Sequence, residues 1–273
     1  MAVAAKKSEE IHVLTLQEGE AYVGVIGTSP LIFNRMAEKA RRELLLPRGR
    51  KTDADKRQNL KHNPIEEYRA SVYRNYGNSP KTRLAIPAPA FKGAMSTAAL
   101  DIPGTKKSEI GRLVWVEGTQ VDVYGTPQLK MDVVRNSDIN HTPDIRTRAI
   151  VPEWACQIHI RFARPKLQAV SIFNLLMAAG IVAGVGDFRQ EKGKGSFGQF
   201  RVLDASDADF KAIVKSLGKL KEQDAALESP QLYDAETEEL FGWFTSEIGK
   251  TRDASPGRRR LQSADDADLD EAA

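Results

Sequence analysis

Between Gly184 and Gly198 (GVGDFRQEKGKGSFG) the glycines Gly184, Gly186, Gly193, Gly195 and Gly198 alternate with Arg189, Lys192 and Lys194 and with the aromatics Phe188 and Phe197. Glycine lets backbone N–H groups approach a phosphate closely, cations neutralise it, and an aromatic ring stacks on a base. That combination serves capture of a single-stranded polyanion rather than bond-making. Gly193, Gly195 and Gly198 also satisfy G-x-G-x-x-G, but the pattern here puts a helix before the loop and a strand after it. A dinucleotide fold needs the reverse order. A P-loop is excluded too, because no glycine stands five residues before a Gly-Lys followed by Ser or Thr.

The elements that must hold this loop are an apolar helix, LQAVSIFNLLMAAGIVA, and the strand QFRVL. Upstream, Ala21 to Thr28 (AYVGVIGT) is apolar or small on both alternations, as in a central strand, with Gly24 and Gly27 permitting close backbone approach. ACQIHIRFA alternates cleanly: Cys156, Ile158, Ile160 and Phe162 face one side, and Gln157, His159 and Arg161 the other. LAIP leads into a short helix, AFKGAMSTAAL, with Phe91, Met95 and Ala98 on one face. LVWVEG, QVDVYG and QLKMDVVRN read as further strands. The order strand, helix, strands, helix, strand predicts an α+β fold, a ferredoxin-like (RRM-like) antiparallel sheet with two backing helices.

Between the first strand and LAIP the character changes. Asn34 is placed to cap a helix, NRMAEKARRELLL, stopped by Pro47, and Asn63-Pro64 to open a second through IEEYRASVYRNY. Residues Arg35 to Arg83 contain 14 basic and 6 acidic side chains, a basic helical insertion. After Asp204 an acidic helical C-terminus is expected, with Ser206 capping DADFKAIVKSL, Gly218 ending it, and Leu240, Phe241 and Phe244 forming an apolar stripe in DAETEELFGWFTSEIG. The expected organisation is a core of residues 1–34 and 84–204, the insertion 35–83, acidic helices 205–250 and a disordered tail 251–273.

Charge follows the same division. Leu203 to Ala273 hold 9 Lys+Arg against 17 Asp+Glu, a net of −8, whereas Met1 to Val202 hold 31 against 20, a net of +11. This is the footprint of a polyanion-binding body with an acidic appendage. The lone Cys156 permits no intrachain disulfide, and the four histidines show no metal spacing. With no signal core and no membrane-length apolar run, a cytoplasmic location without membrane attachment is the expectation.

Three stretches resemble one family, the repeat-associated mysterious protein (RAMP) superfamily of CRISPR systems, and especially the subunit that forms the guide-RNA backbone of effector complexes. Gly27-Thr28-Ser29-Pro30-Leu31 is similar to the end of the family's opening strand. Ile86-Pro87-Ala88-Pro89-Ala90-Phe91-Lys92-Gly93-Ala94 resembles its Ile-Pro-Gly-Ser-Ser-Leu-Lys-Gly helix entry, with Ala88, Pro89 and Ala90 in place of glycine and two serines. The glycine-rich loop stands where the family has one. The resemblance covers roughly Ala21 to Leu203.

What the resemblance implies is a non-catalytic subunit binding single-stranded RNA, assembled as a homo-oligomer along the strand with other effector-complex subunits, and needing no cofactor. Cleaving members carry an acidic residue shortly after the first strand; here Asn34-Arg35 follow, and the first aspartates are Asp53 and Asp55. Processing members use a histidine base, but His12, His62, His141 and His159 lie outside the motifs. Single-stranded DNA is the second ligand compatible with the same loop, on a phage or mobile-element protein. The basic insertion would correspond to a thumb or finger laid over nucleic acid, with Arg41, Arg42, Arg48, Arg50, Lys51 and Arg57 on phosphates. Arg146 and Arg148 are expected to extend that track, and Lys92, His159, Arg161 and Arg189 complete the set. Trp115, Trp154 and Trp243 are expected to be core or interface anchors.

Overall fold

The computed structural model describes residues 15–36, 41, 45, 62–77, 80–135, 143–192 and 195–253. In chain order these form β1 (Gln17–Gly27), β2 (Leu31–Ile32), α1 (Pro64–Ser71), β3 (Tyr73–Arg74), β4 (Leu84–Pro87), α2 (Pro89–Ala98), α3 (Lys107–Leu113), β5 (Val114–Val116) and β6 (Gln120–Tyr124). There follow β7 (Gln128–Arg135), β8 (Pro143–Val151), β9 (Ala155–Arg164), α4 (Ala169–Val182), β10 (Phe200–Asp204), α5 (Ala208–Ser216), α6 (Leu220–Glu228) and α7 (Ala235–Asp253). The fold is α+β with antiparallel sheets. No described helix is long and apolar enough to cross a membrane. Two compact units divide the chain: Met1–Thr28, Ile86–Val121 and Ala155–Ser216 make the first, and Ser29–Ala85, Asp122–Trp154 and Leu217–Ala273 the second.

In the first unit β10 pairs with β1, β1 with β9 and β9 with β5, all antiparallel, giving the order β10-β1-β9-β5. Helix α2 lies in the chain between β1 and β5, and α4 between β9 and β10. The alternation expected in β9 is realised: Cys156, Ile158, Ile160 and Phe162 are buried with Val23, Val25, Phe200 and Val202, while Gln157, His159 and Arg161 turn to the opposite face. Helices α2 and α4 pack together on the apolar face, where Phe91 meets Phe200 edge to face at 5.9 Å. Gly180 makes the approach possible, since a Cβ there would stand 2.0 Å from the Phe200 carbonyl oxygen. On the opposite face the ring of Phe210, from α5, lies over Gly24, where a Cβ would come within 2.6 Å of it.

The second unit carries the sheet β2-β8-β7, with β7 and β8 in register from Gln128↔Ile150 to Arg135↔Pro143. Asn63 caps α1 through its side chain, with Pro64 in the first turn, as Asn63-Pro64 predicts. The helix ends earlier than expected, because Val72 is extended and Tyr73–Arg74 pair with β4. Ser71 ties α1 to the sheet: its hydroxyl accepts from the Ala149 amide at 2.9 Å and donates to the Tyr68 carbonyl at 2.7 Å. Tyr68 is fully buried, burial pushes its hydroxyl pKa up, and it donates to the Ala226 carbonyl at 3.0 Å.

Several expectations are corrected here. Pro143–Val151, the stretch that carries Arg146 and Arg148, forms a strand that the sequence reading does not include. With β7 it belongs to the second unit rather than to the sheet of β1 and β9. Ser206 does not cap α5; its hydroxyl and amide both bond the Asp204 carboxylate, and Asp207 accepts from the Asp209 amide instead. Helix α6 was not anticipated. It is anchored by Gln223, which is completely buried and whose oxygen accepts from the Arg83 and Leu84 amides while its nitrogen donates to the Val123 and Gly125 carbonyls. Trp154 is a core residue donating to the Ser29 carbonyl, but Trp243 is 62% exposed.

Candidate nucleic-acid interface

The glycine-rich loop is a folded finger closed on itself. The Val185 amide bonds the Gly198 carbonyl at 2.9 Å, the Phe197 amide bonds the Phe188 carbonyl at 3.3 Å, and the Gly184 amide bonds the Ala179 carbonyl at the end of α4. Gly184, Gly186 and Gly198 take positive φ of 70°, 86° and 71°. Two of the glycines are required by contact within the loop: a Cβ on Gly195 would stand 1.6 Å from the Phe188 carbonyl oxygen, and one on Gly198 1.7 Å from that of Val185. Their first task is therefore to let the two arms of the finger touch.

Phe188 has φ of 53°, the one non-glycine residue with positive φ among the described residues, and is 45% exposed. A bulky residue held there costs of order 1–3 kcal/mol, so the flanking contacts over-determine it. Phe197 stands beside it, ring centroids 6.3 Å apart and tilted by 48°. Arg189 is latched: Nε and Nη2 meet the Glu191 carboxylate at 2.8 and 2.7 Å, and Nη1 donates to the Gly186 carbonyl at 2.9 Å. Lys192 closes a 3-10 turn, Gln190–Lys192. Gly193 and Lys194 lie outside the described residues. Lys92 is half-buried in the first turns of α2.

His159 and Arg161 occupy a different place, the sheet face opposite α2 and α4. Register lines up Tyr22, His159 and Glu117 in one row and Glu20, Arg161 and Trp115 in the next. His159 stacks flat on Tyr22 with Nε2 3.3 Å from Glu20. Arg161 is held by Glu18 at 2.8 Å and Glu117 at 2.6 Å, over the Trp115 ring. Glu18, Glu20 and Glu117 outnumber Arg161 and the exposed Arg201 on this face, which disfavours phosphate.

In the second unit Arg146 is exposed on β8. Arg148 is buried, 5% exposed, and its guanidinium meets Asp132 at 2.7 Å. Lys130 joins the same network, bonded to Asp132 at 2.9 Å and Asp234 at 2.8 Å. A buried guanidinium in an ion pair is part of the fold, so Arg148 does not continue an exposed basic track with Arg146. Arg41 is an exposed helical position. Arg42, Arg48, Arg50, Lys51 and Arg57, the helix expected through NRMAEKARRELLL, the tail from residue 254 onward, His12 and His141 lie outside the described residues. His62 is bracketed by Glu67 at 3.0 Å and Asp144 at 3.3 Å. Sequence reasoning missed the Glu191 latch; its signal was an acidic residue two positions from Arg189 inside a basic loop.

No protein-family model matches the chain, and no curated protein matches it. Among solved structures it is similar to a chain of the Type III-B Cmr-beta complex bound to cognate target RNA, determined by cryo-EM, with 14% identity and a TM-score of 0.36. The alignment covers 68% of this chain and 59% of that one, so the chain spans under two thirds of that neighbour's length.

Proposed function

We propose that the protein binds single-stranded RNA along the glycine-rich finger, with Phe188 and Phe197 stacking on bases and the loop's cations on phosphates. The observation that carries this reading is Phe188: a bulky apolar ring kept 45% exposed in a strained backbone conformation within a basic loop. The order β10-β1-β9-β5 with its two backing helices supports a ferredoxin-like reading, and the three motifs of the opening strand, the helix entry and the finger support a RAMP-like one. On that reading the chain coats a guide or other RNA as repeated copies within a CRISPR-like ribonucleoprotein and leaves cutting to other subunits. On this reading the nucleic acid runs along the finger rather than over the sheet face, where Glu18, Glu20 and Glu117 outnumber Arg161 and Arg201.

The test is titration of labelled single-stranded RNA, and of DNA of matched sequence, with the wild type and Phe188→Ala. The ring's removal should weaken RNA binding by about tenfold, in line with roughly 1–3 kcal/mol per stacked base. Unchanged affinity removes the finger from the interface. DNA bound as tightly as RNA replaces RNA by single-stranded nucleic acid in general.

A further inference from the structure

Resting on the finger reading above, we propose that Glu191 occupies in the free protein the position on Arg189 that a backbone phosphate takes in the complex, so that binding exchanges a carboxylate for a phosphate. Two nitrogens of the guanidinium, Nε and Nη2, converge on one carboxylate oxygen of Glu191 at 2.8 and 2.7 Å. This is the edge of the fork that recognises phosphate as well as carboxylate. The third nitrogen, Nη1, stays on the Gly186 carbonyl at 2.9 Å, which keeps the arginine aimed whatever occupies its other edge.

Glu191 is itself held from behind. Its second carboxylate oxygen accepts from the Thr97 hydroxyl, on α2, at 3.1 Å. The carboxylate is thus shared between a neutral hydroxyl that can keep it and a cation that a phosphate can claim. Neither Arg189 nor Glu191 is buried, so a phosphate reaches the pair from solvent. Arg189 follows Phe188 directly in the chain, so a strand with a base stacked on that ring carries its backbone past the guanidinium. Left in place during binding, Glu191 would set a negative charge against the strand; released toward Thr97, it leaves Arg189 one uncompensated charge to give. The device holds the arginine in order without nucleic acid and lowers affinity by a fixed factor, which favours release.

A four-way comparison tests this: wild type, Glu191→Gln, Arg189→Ala and the double variant, each titrated with labelled oligouridine RNA over a salt series. Glu191→Gln should tighten binding several-fold through Arg189, and that gain should vanish in the Arg189→Ala background. Weaker binding by Glu191→Gln would make the glutamate a permanent strut and overturn the proposal. An equal gain in both backgrounds would reduce it to general charge repulsion and overturn it too. Should the wild type bind no RNA, the finger reading falls, and the exchange is then read without RNA by phenylglyoxal modification of Arg189. Modification faster in Glu191→Gln than in wild type, and slowed by inorganic phosphate in the variant, sustains it; equal rates in both proteins refute it.

Discussion

The imidazole of His159 lies flat on the ring of Tyr22, centroids 4.2 Å apart and planes 6° from parallel, on a sheet face that also carries Glu18, Glu20 and Glu117. Aromatics on an open sheet are where RNA-recognition folds place bases, yet here the acidic neighbours neutralise Arg161, and the exposed Arg201 on β10 shares the face with three glutamates. His159→Ala and Arg161→Ala should each change RNA affinity by less than about twofold, since exposed ion pairs of this kind carry little net energy. Losses as large as that of Phe188→Ala would move the interface onto the sheet.

Gly198 couples the finger's fold to its use. Its φ of 71° disfavours a side chain, and the Cβ of an alanine would stand 1.7 Å from the Val185 carbonyl oxygen. Gly198→Ala should open the finger, lowering stability by about 1–3 kcal/mol and abolishing the binding that depends on Phe188. The check pairs a melting curve with an RNA titration. Intact binding by a folded variant would separate the finger's geometry from recognition.

Much of this was legible in the residues. Asn63-Pro64 announced α1, the strict alternation from Cys156 to Phe162 announced a half-covered strand, and Gly24 announced a close approach that proved to be the Phe210 ring. What sequence patterns do not contain is cross-strand register. Arg146 and Arg148 read alike in DIRTRAI, but the pairing of β8 with β7 sets Asp132 directly opposite Arg146 and diagonal to Arg148, and it is the buried Arg148 whose guanidinium meets that carboxylate at 2.7 Å. Gln223 was equally silent, because a single glutamine in a short polar helix has no periodicity to betray four backbone groups waiting for it.

Those four groups make Gln223 the side chain on which the second unit depends. Gln223→Ala leaves the buried Leu84 amide, the part-buried Arg83 amide and two carbonyls without their partner, at roughly 1–3 kcal/mol for each group that water cannot reach. A loss of about 3–5 kcal/mol is expected, read as a drop in denaturant midpoint at unchanged m. A change under about 1 kcal/mol would mean that α6 is not held as described.

Acid should loosen the second unit through Asp234. Burial raises its pKa, but the bonds from Lys130 and from the Thr237 hydroxyl and amide outweigh that and hold it below the ordinary value. A lowered carboxylate pKa stabilises the fold fully above the unfolded value of about 3.9, and the contribution is withdrawn as the pH falls through the folded one. Asp224, lowered by its bond from Arg83, acts in the same direction. Stability measured from pH 6 down to pH 2 should therefore fall more steeply in the wild type than in Asp234→Asn. Parallel curves would assign acid sensitivity elsewhere.

The central claim is tested most directly by Phe188→Gly, which removes the ring and also relieves the positive φ that holds it. The variant and wild type are compared for melting temperature and for single-stranded RNA affinity at several salt concentrations. A protein at least as stable as the wild type that binds RNA about tenfold or more weakly is the expected result, the strain having been kept for the ring's contact with a base. Equal stability with undiminished RNA binding at every salt concentration would contradict the account.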